Sequence, residues 1–284
     1  MIKNKLGSVF RQLREMKNLS LSQTAEGICS KSQLSRFENG ENDIGAEKLF
    51  QLLNAINITY EEFVYQIRNF DKADFERLFI ATGVYEENKD FDKIEALQRQ
   101  ELEKPGKLHY YNALALQSIL SMHHQTDMLS DAEVAEVTDY LFSILEWSRY
   151  EIWIFQAISP QLSYPLCLEF ANELLNRTLF YRNVPENRAL IGNCMKMIAF
   201  VAIDNHDVLS AEKYLQRYLE LQGKNDWTRL IAAPLIRIRI LREKGDIAAA
   251  WELLRKLIAS YENFGMNPKN LQDLKDEEDE LKAL

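Results

Sequence analysis

The sequence predicts an all-α protein built from a small N-terminal helical domain and a longer array of paired helices, and three observations carry that reading. Apolar residues recur at three- and four-residue steps through most of the chain, the period of an amphipathic helix. Punctuation is sparse, with 10 Gly and 6 Pro in 284 residues, too little for a sandwich of short strands. A chain of this length also exceeds the size at which a single core keeps growing, so two domains are expected, divided at residues 1–67 and 68–284.

Composition narrows the class further. With 46% hydrophobic and 27% charged residues the chain belongs to the globular range. No run approaches the roughly 20 apolar residues of a spanning helix. The opening MIKNKLGSVFRQLRE lacks the apolar stretch of a signal peptide, so a cytoplasmic location and no membrane partner are expected. Cys29, Cys167 and Cys194 are widely separated and odd in number, which fits reduced thiols better than a disulfide framework. The net charge of −9 is unevenly spread. Residues 1–40 hold seven Lys or Arg against three Glu, an excess of four positive charges, and the remainder carries −13. Only a local face at the N-terminus suits phosphate.

That N-terminal segment reads as five short helices. Leu6, Val9, Phe10 and Leu13 mark the apolar face of the first, with Arg11, Arg14 and Lys17 opposite, and it ends near Asn18. The second, within Ser20–Gly27, has Ser20 as a cap, small Ala25 where another helix can pass closely, and Gly27 as its stop. Ser30 caps the third, and Gln33 stands at capping-box spacing. Leu34 and Phe37 face inward, which leaves Lys31, Ser32, Gln33, Ser35 and Arg36 outside, and Asn39-Gly40 terminates the helix. Glu47–Ile56 and Tyr60–Val64 complete the set, with Thr59 capping the last.

Two short helices joined by a tight turn, the second polar on its outer face, form a helix-turn-helix suited to double-stranded DNA. Gln makes a bidentate contact to adenine, Arg or Lys to guanine, and Ser reaches phosphate or a base edge. Gln33 and Arg36 share a face. Ser22 and Gln23 open the second helix, where phosphate contacts set register, and Arg11 and Arg14 supply further positive charge. Each has a plainer alternative: Arg36 pairing with Glu38, Gln33 acting only as a capping residue, Lys31 as a solvated charge.

The string LSQTAEGICSKSQLSRFENGE, followed by a leucine-rich helix and NITYEEF, resembles the five-helix lambda-repressor-type domain of xenobiotic-response-element regulators over residues 1–67. SKSQLSRFENGE, the all-helical remainder and Asp139-Tyr140-Leu141-Phe142-Ser143 resemble more narrowly the Rgg/MutR/GadR regulators of Gram-positive bacteria. The resemblance implies a homodimeric regulator whose C-terminal repeat domain binds a short signalling peptide, with Asn and Arg side chains as clamps on the peptide backbone. A short hydrophobic peptide and RNA polymerase are thus the partners considered beside DNA and a second copy of the chain. After Glu151-Ile152-Trp153-Ile154, where a polar pair is sought, this chain has Ala157 and Pro160.

In the remainder, Asn205–Leu215 overlays Lys244–Leu254 at a shift of 39 residues, and Lys89–Leu97 lies 117 residues before the first copy. The turn-Asp-apolar pattern is similar to the tetratricopeptide repeat, which implies a right-handed α-solenoid of degenerate helix pairs with a concave binding face. Asn172, Arg188, Asn193 and Lys196 are candidate peptide-binding residues there, each also readable as ordinary surface. Trp147, Tyr150, Trp153 and Phe155 read as a groove lining or as core. Leu271, Leu274, Leu281 and Leu284, beside the acidic run 276–280, suggest an amphipathic terminal helix that caps, dimerises or is solvated.

Catalysis is not expected. The glycines form no phosphate-binding pattern, Cys167 and Cys194 have no His at motif spacing, and His123-His124 lacks metal-ligand spacing and reads as an exposed pair. No metal or cofactor is expected. The alternatives to a peptide-controlled regulator are a protein-interaction scaffold of helical repeats, or a regulator answering to a small molecule or to no ligand.

Overall fold

The computed structural model describes residues 3–69, 74–221, 227–264 and 268–282, and the described residues form helices without strands. They divide into two compact units, residues 1–80 and 81–284. The N-terminal unit is therefore longer than the five helices read from sequence.

Its helices are α1 (Lys3–Met16), α2 (Leu21–Ala25), α3 (Lys31–Glu38), α4 (Ala46–Ala55) and α5 (Tyr60–Ile67), followed by the first part of α6 (Asp74–Glu87). Local chemistry sets their ends. Ser20 and Gln23 form a complete capping box on α2, and Thr59 and Glu62 form another on α5. Gly27, at φ 72°, makes the left-handed turn between α2 and α3. The apolar faces then share one core around Phe10, Leu34, Phe37, Leu52, Leu53, Ile56 and Phe63.

Two features clamp α1 to α3. Gly7 lies so close to α3 that a Cβ there would sit 1.8 Å from the Phe37 carbonyl oxygen, so only hydrogen fits. Arg14 is buried rather than presented on a polar face: its Nε and Nη2 donate to the Glu38 carboxylate at 2.7 and 2.8 Å, and Nη1 donates to the Leu19 carbonyl. The partner lies 24 residues away, which is why helical periodicity misplaces this arginine.

The second unit continues α6 into α7 (Phe91–Glu103), α8 (Lys107–Met122), α9 (Asp131–Ser143), α10 (Arg149–Ile158), α11 (Tyr164–Arg177), α12 (Pro185–Asp204), α13 (Val208–Leu221), α14 (Trp227–Glu243), α15 (Ile247–Phe264) and α16 (Pro268–Lys282). Chain neighbours pair, as α7 with α8, α12 with α13 and α14 with α15. Packing of α8 on α10, α10 on α12 and α12 on α14 makes one continuous row, the arrangement expected of stacked helix pairs.

The repeat shows most clearly in its turns. Lys89, His206 and Gly245 each adopt a left-handed conformation, at φ 59°, 57° and 78°. The Asp that follows donates its N–H to a carbonyl five residues earlier: Asp90 to Tyr85, Asp207 to Ala202 and Asp246 to Leu241, at 2.8 to 2.9 Å. Asp207 and Asp246 then cap the next helix through Ser210 N and Ala249 N. A fourth turn of the same geometry, not evident from the 39-residue shift, occurs at His124, with φ 56° and Gln125 N bonded to Leu120 O. His123 beside it is half-buried, stacks on Phe91 at 4.7 Å and pairs with Glu86 at 3.2 Å, so the two histidines are a turn and a packing residue rather than an exposed pair.

Trp147, Trp153 and Phe155 are buried, Trp147 stacks near Phe155 and Phe170, and its Nε1 donates to the Leu141 carbonyl. Core packing is therefore their role. Of the terminal leucines, Leu274 and Leu281 are buried against Ile238, Leu254, Leu257 and Tyr261, while the side chain of Leu271 and all of Leu284 lie outside the described residues. The acidic run is not wholly solvated: Glu277 is buried, accepting from Arg239 at 2.8 Å and Arg242 at 3.0 Å.

Candidate nucleic-acid interface and ligand surfaces

The recognition surface is built by α3. Ser30 Oγ accepts the N–H of Gln33 at the helix start, and Leu34 and Phe37 are buried, with Phe37 against Phe10 at 6.0 Å between ring centres. That anchoring turns the opposite side outward. Lys31, Ser32 and Arg36 are exposed, and Gln33 and Ser35 half-buried. The two glutamines read from sequence exchange roles. Gln23 is tied down by its capping box, its Oε1 accepting from Ser20 N at 2.9 Å, whereas Gln33 closes no box and its Oε1 accepts from Lys48 at 3.4 Å.

Beside α3 lies an open cleft of about 490 Å³ lined by Arg11, Ser22, Lys31 and Ser35 among others. Arg11 is exposed but engaged by Glu15 at 2.8 Å; that bond holds the Glu15 carboxyl below its usual range. Arg14 faces the same cleft, yet Glu38 has already taken its charge, so it positions α3 instead of offering a free cation. Ser22 is exposed at the start of α2. Arg36 makes no ion pair with Glu38, whose carboxylate is bound to Arg14.

Of the four ligand candidates in the second unit, Asn172 lines a cleft to which Arg188, Asn193 and Lys196 do not contribute. Arg188, Asn193 and Lys196 lie on α12, with Arg188 exposed and the other two half-buried. Asn172 is on α11, where its Oδ1 accepts from Lys213 at 3.0 Å and from the Tyr214 hydroxyl at 3.4 Å. It lines that cleft, of about 550 Å³, with Asn176, Arg182, Lys213, Arg217 and Glu220. Sequence reasoning missed those five. The signal was the four-residue spacing of Asn172 with Asn176 and of Lys213 with Arg217, which puts each pair on one helix face.

The helix-turn-helix and the helical array define a transcriptional regulator that binds DNA. Residues 10–63 match the helix-turn-helix family, and residues 94–231 match the C-terminal domain of the HTH-type transcriptional regulator Rgg. Together the two matches give the chain the domain make-up of an Rgg-type helix-turn-helix transcriptional regulator. Its fold is shared along nearly its whole length by solved structures. The SHP pheromone receptor Rgg2 of Streptococcus dysgalactiae is 24% identical, with a TM-score of 0.81 over 97% of this chain and 99% of that one. A putative transcriptional regulator from Listeria monocytogenes EGD-e is 18% identical, with a TM-score of 0.83 over 97% and 99%. The PrgX/cCF10 complex is 16% identical, with a TM-score of 0.70 over 98% and 92%.

Proposed function

We propose that this regulator acts as a homodimer in the cytoplasm, by binding rather than catalysis. In this reading α3 reads a major groove and a short apolar peptide, held by the repeat domain, sets the dimer arrangement. The observation that carries it is the anchoring of Leu34 and Phe37, which leaves Arg36, Gln33, Ser32 and Lys31 on the outer side of one short helix. Arg36 and Gln33 read bases; Lys31, Ser22, Ser35 and Arg11 meet phosphate. Residues 1–67 form the DNA-binding part and 68–284 the sensing and dimerising part. Two half-sites about one helical turn apart follow from two-fold symmetry.

The peptide follows from the pheromone receptors that share the fold, with Arg188, Asn193 and Lys196 on α12 as its polar contacts. A ligand alters transcription only through different affinities for two arrangements of the dimer or of its contact with polymerase.

The test is a salt titration of binding to duplex DNA from beside the protein's own gene, wild type against Arg36→Ala, with a random duplex as control. Specific binding that falls steeply with salt is expected, and the variant should lose about tenfold to a hundredfold on the specific duplex. Equal, weak binding to both duplexes by both proteins would overturn DNA reading by α3. For the peptide, fluorescence anisotropy of labelled apolar peptides encoded next to the gene should saturate with wild type and weaken with Asn193→Ala; no saturable binding by any of them would remove the peptide.

A further inference from the structure

We propose that the cleft between α11 and α13 is a binding site for a small anion carrying phosphate or carboxylate groups. It does not rest on the peptide reading. The cleft lies on α11, α13 and the segment after α11, whereas Arg188, Asn193 and Lys196 lie on α12, in the row formed by α8, α10, α12 and α14. Its volume, about 550 Å³, is within the range of small-ligand pockets.

The lining chemistry selects an anion. Arg182, Lys213 and Arg217 contribute three cations against the single carboxylate of Glu220, in a chain whose net charge is −9. Glu220 is already engaged by Arg217 at 2.8 Å and by Gln216 at 3.2 Å. The Asn172 amide oxygen accepts from Lys213 and Tyr214, which leaves its N–H groups as donors toward the cleft.

Arg182 is the group that asks for a ligand. Its Nε is buried with no hydrogen-bond acceptor, an arrangement proteins ordinarily avoid. Burial, and then the like charge of Arg217, lower its affinity for its own proton. An oxyanion between the two guanidiniums would supply the acceptor and reverse the repulsion, and the forked geometry of arginine matches phosphate and carboxylate alike.

The experiment uses the full chain, with inorganic phosphate and succinate as probes at ionic strength held constant with sodium chloride. Binding is followed by isothermal titration calorimetry and by thermal unfolding. Saturable binding and a rise in Tm are expected for at least one probe, and which one distinguishes a phosphate from a dicarboxylate ligand. Arg182→Gln should weaken it at least tenfold, while Lys256→Gln on α15, an exposed cation outside the cleft, should bind as wild type does. If Arg182→Gln does not fold, Arg217→Gln serves in its place, its side chain being half exposed. Absence of saturable binding by wild type to both probes, or undiminished binding by the folded cleft variant, would overturn the proposal.

Discussion

The two compact units use charge in opposite ways. In the N-terminal unit one buried ion pair, Arg14 with Glu38, fastens α1 to α3, and cations such as Lys17, Lys31 and Arg36 remain exposed. In the second unit the buried carboxylates are consumed between helices. Glu101 accepts from Asn112 at 2.6 Å and contacts His109 at 2.8 Å; Glu151 accepts from the Tyr140 hydroxyl at 2.7 Å; Glu277 is held by two arginines. The difference teaches where each unit can meet a partner. Short helices around one small core keep a free outer side, so α3 presents its polar residues. Helices stacked in rows are covered on several sides, so their polar groups must find partners inside.

The largest expected effect tests the clamp. Arg14→Ala leaves the Glu38 side chain, 3% exposed, without its counter-ion, and should cost about 3–5 kcal/mol in chemical denaturation of the N-terminal unit. A loss under about 1 kcal/mol would mean that the pair does not hold α1 to α3, and that the contrast between the units is weaker than drawn.

An intermediate effect is expected where the second unit is held at its end. Glu277→Gln keeps the size of the side chain but removes the charge shared by Arg239 and Arg242, whose side chains are 30% and 20% exposed. Because water can reach those arginines in part, the cost should be smaller, about 1–3 kcal/mol. Hydrogen exchange should quicken in α16 first. Exchange that quickened uniformly across the unit would show that α16 is not separately latched.

The smallest effect is a change in pH dependence. Burial pushes the Glu101 carboxyl up, but hydrogen bonds from Lys104, Asn112 and His109 outweigh it and hold the group below its ordinary value of 4.5. A depressed carboxylate adds stability above that ordinary value, and the contribution is lost as the pH falls through it and on past the folded value. Wild type should therefore lose stability below about pH 4.5 more steeply than Glu101→Gln. Parallel curves for the two proteins would show that this network is not a source of acid sensitivity.

Much of the fold was legible because its signals are local. Ser20, Ser30 and Thr59 cap the helices whose starts they mark, and Leu34 and Phe37 face the core as their spacing requires. The repeat was visible at the 39-residue shift because turn, Asp and helix start all fall within a few residues. Its fourth turn escaped, since His124-Gln125 supplies the backbone geometry without the Asp. The candidate site was legible in part. The outer face of α3 followed from periodicity, but the exchange of roles between Gln23 and Gln33 did not: both stand three residues after a serine, and only the surrounding side chains decide which glutamine turns back.

By itself, then, the sequence determined the helices, their caps, the inward side of α3 and the class of protein, because each rests on groups within one or two turns of each other. The tertiary structure decided what depends on distant partners. Arg14 became a buried clamp through Glu38, Gly7 became obligatory through the Phe37 carbonyl, and Asn172 met Lys213 across α11 and α13. Packing brings such groups together across 24 to 41 residues of chain, a distance at which helical periodicity carries no information about which side chains meet.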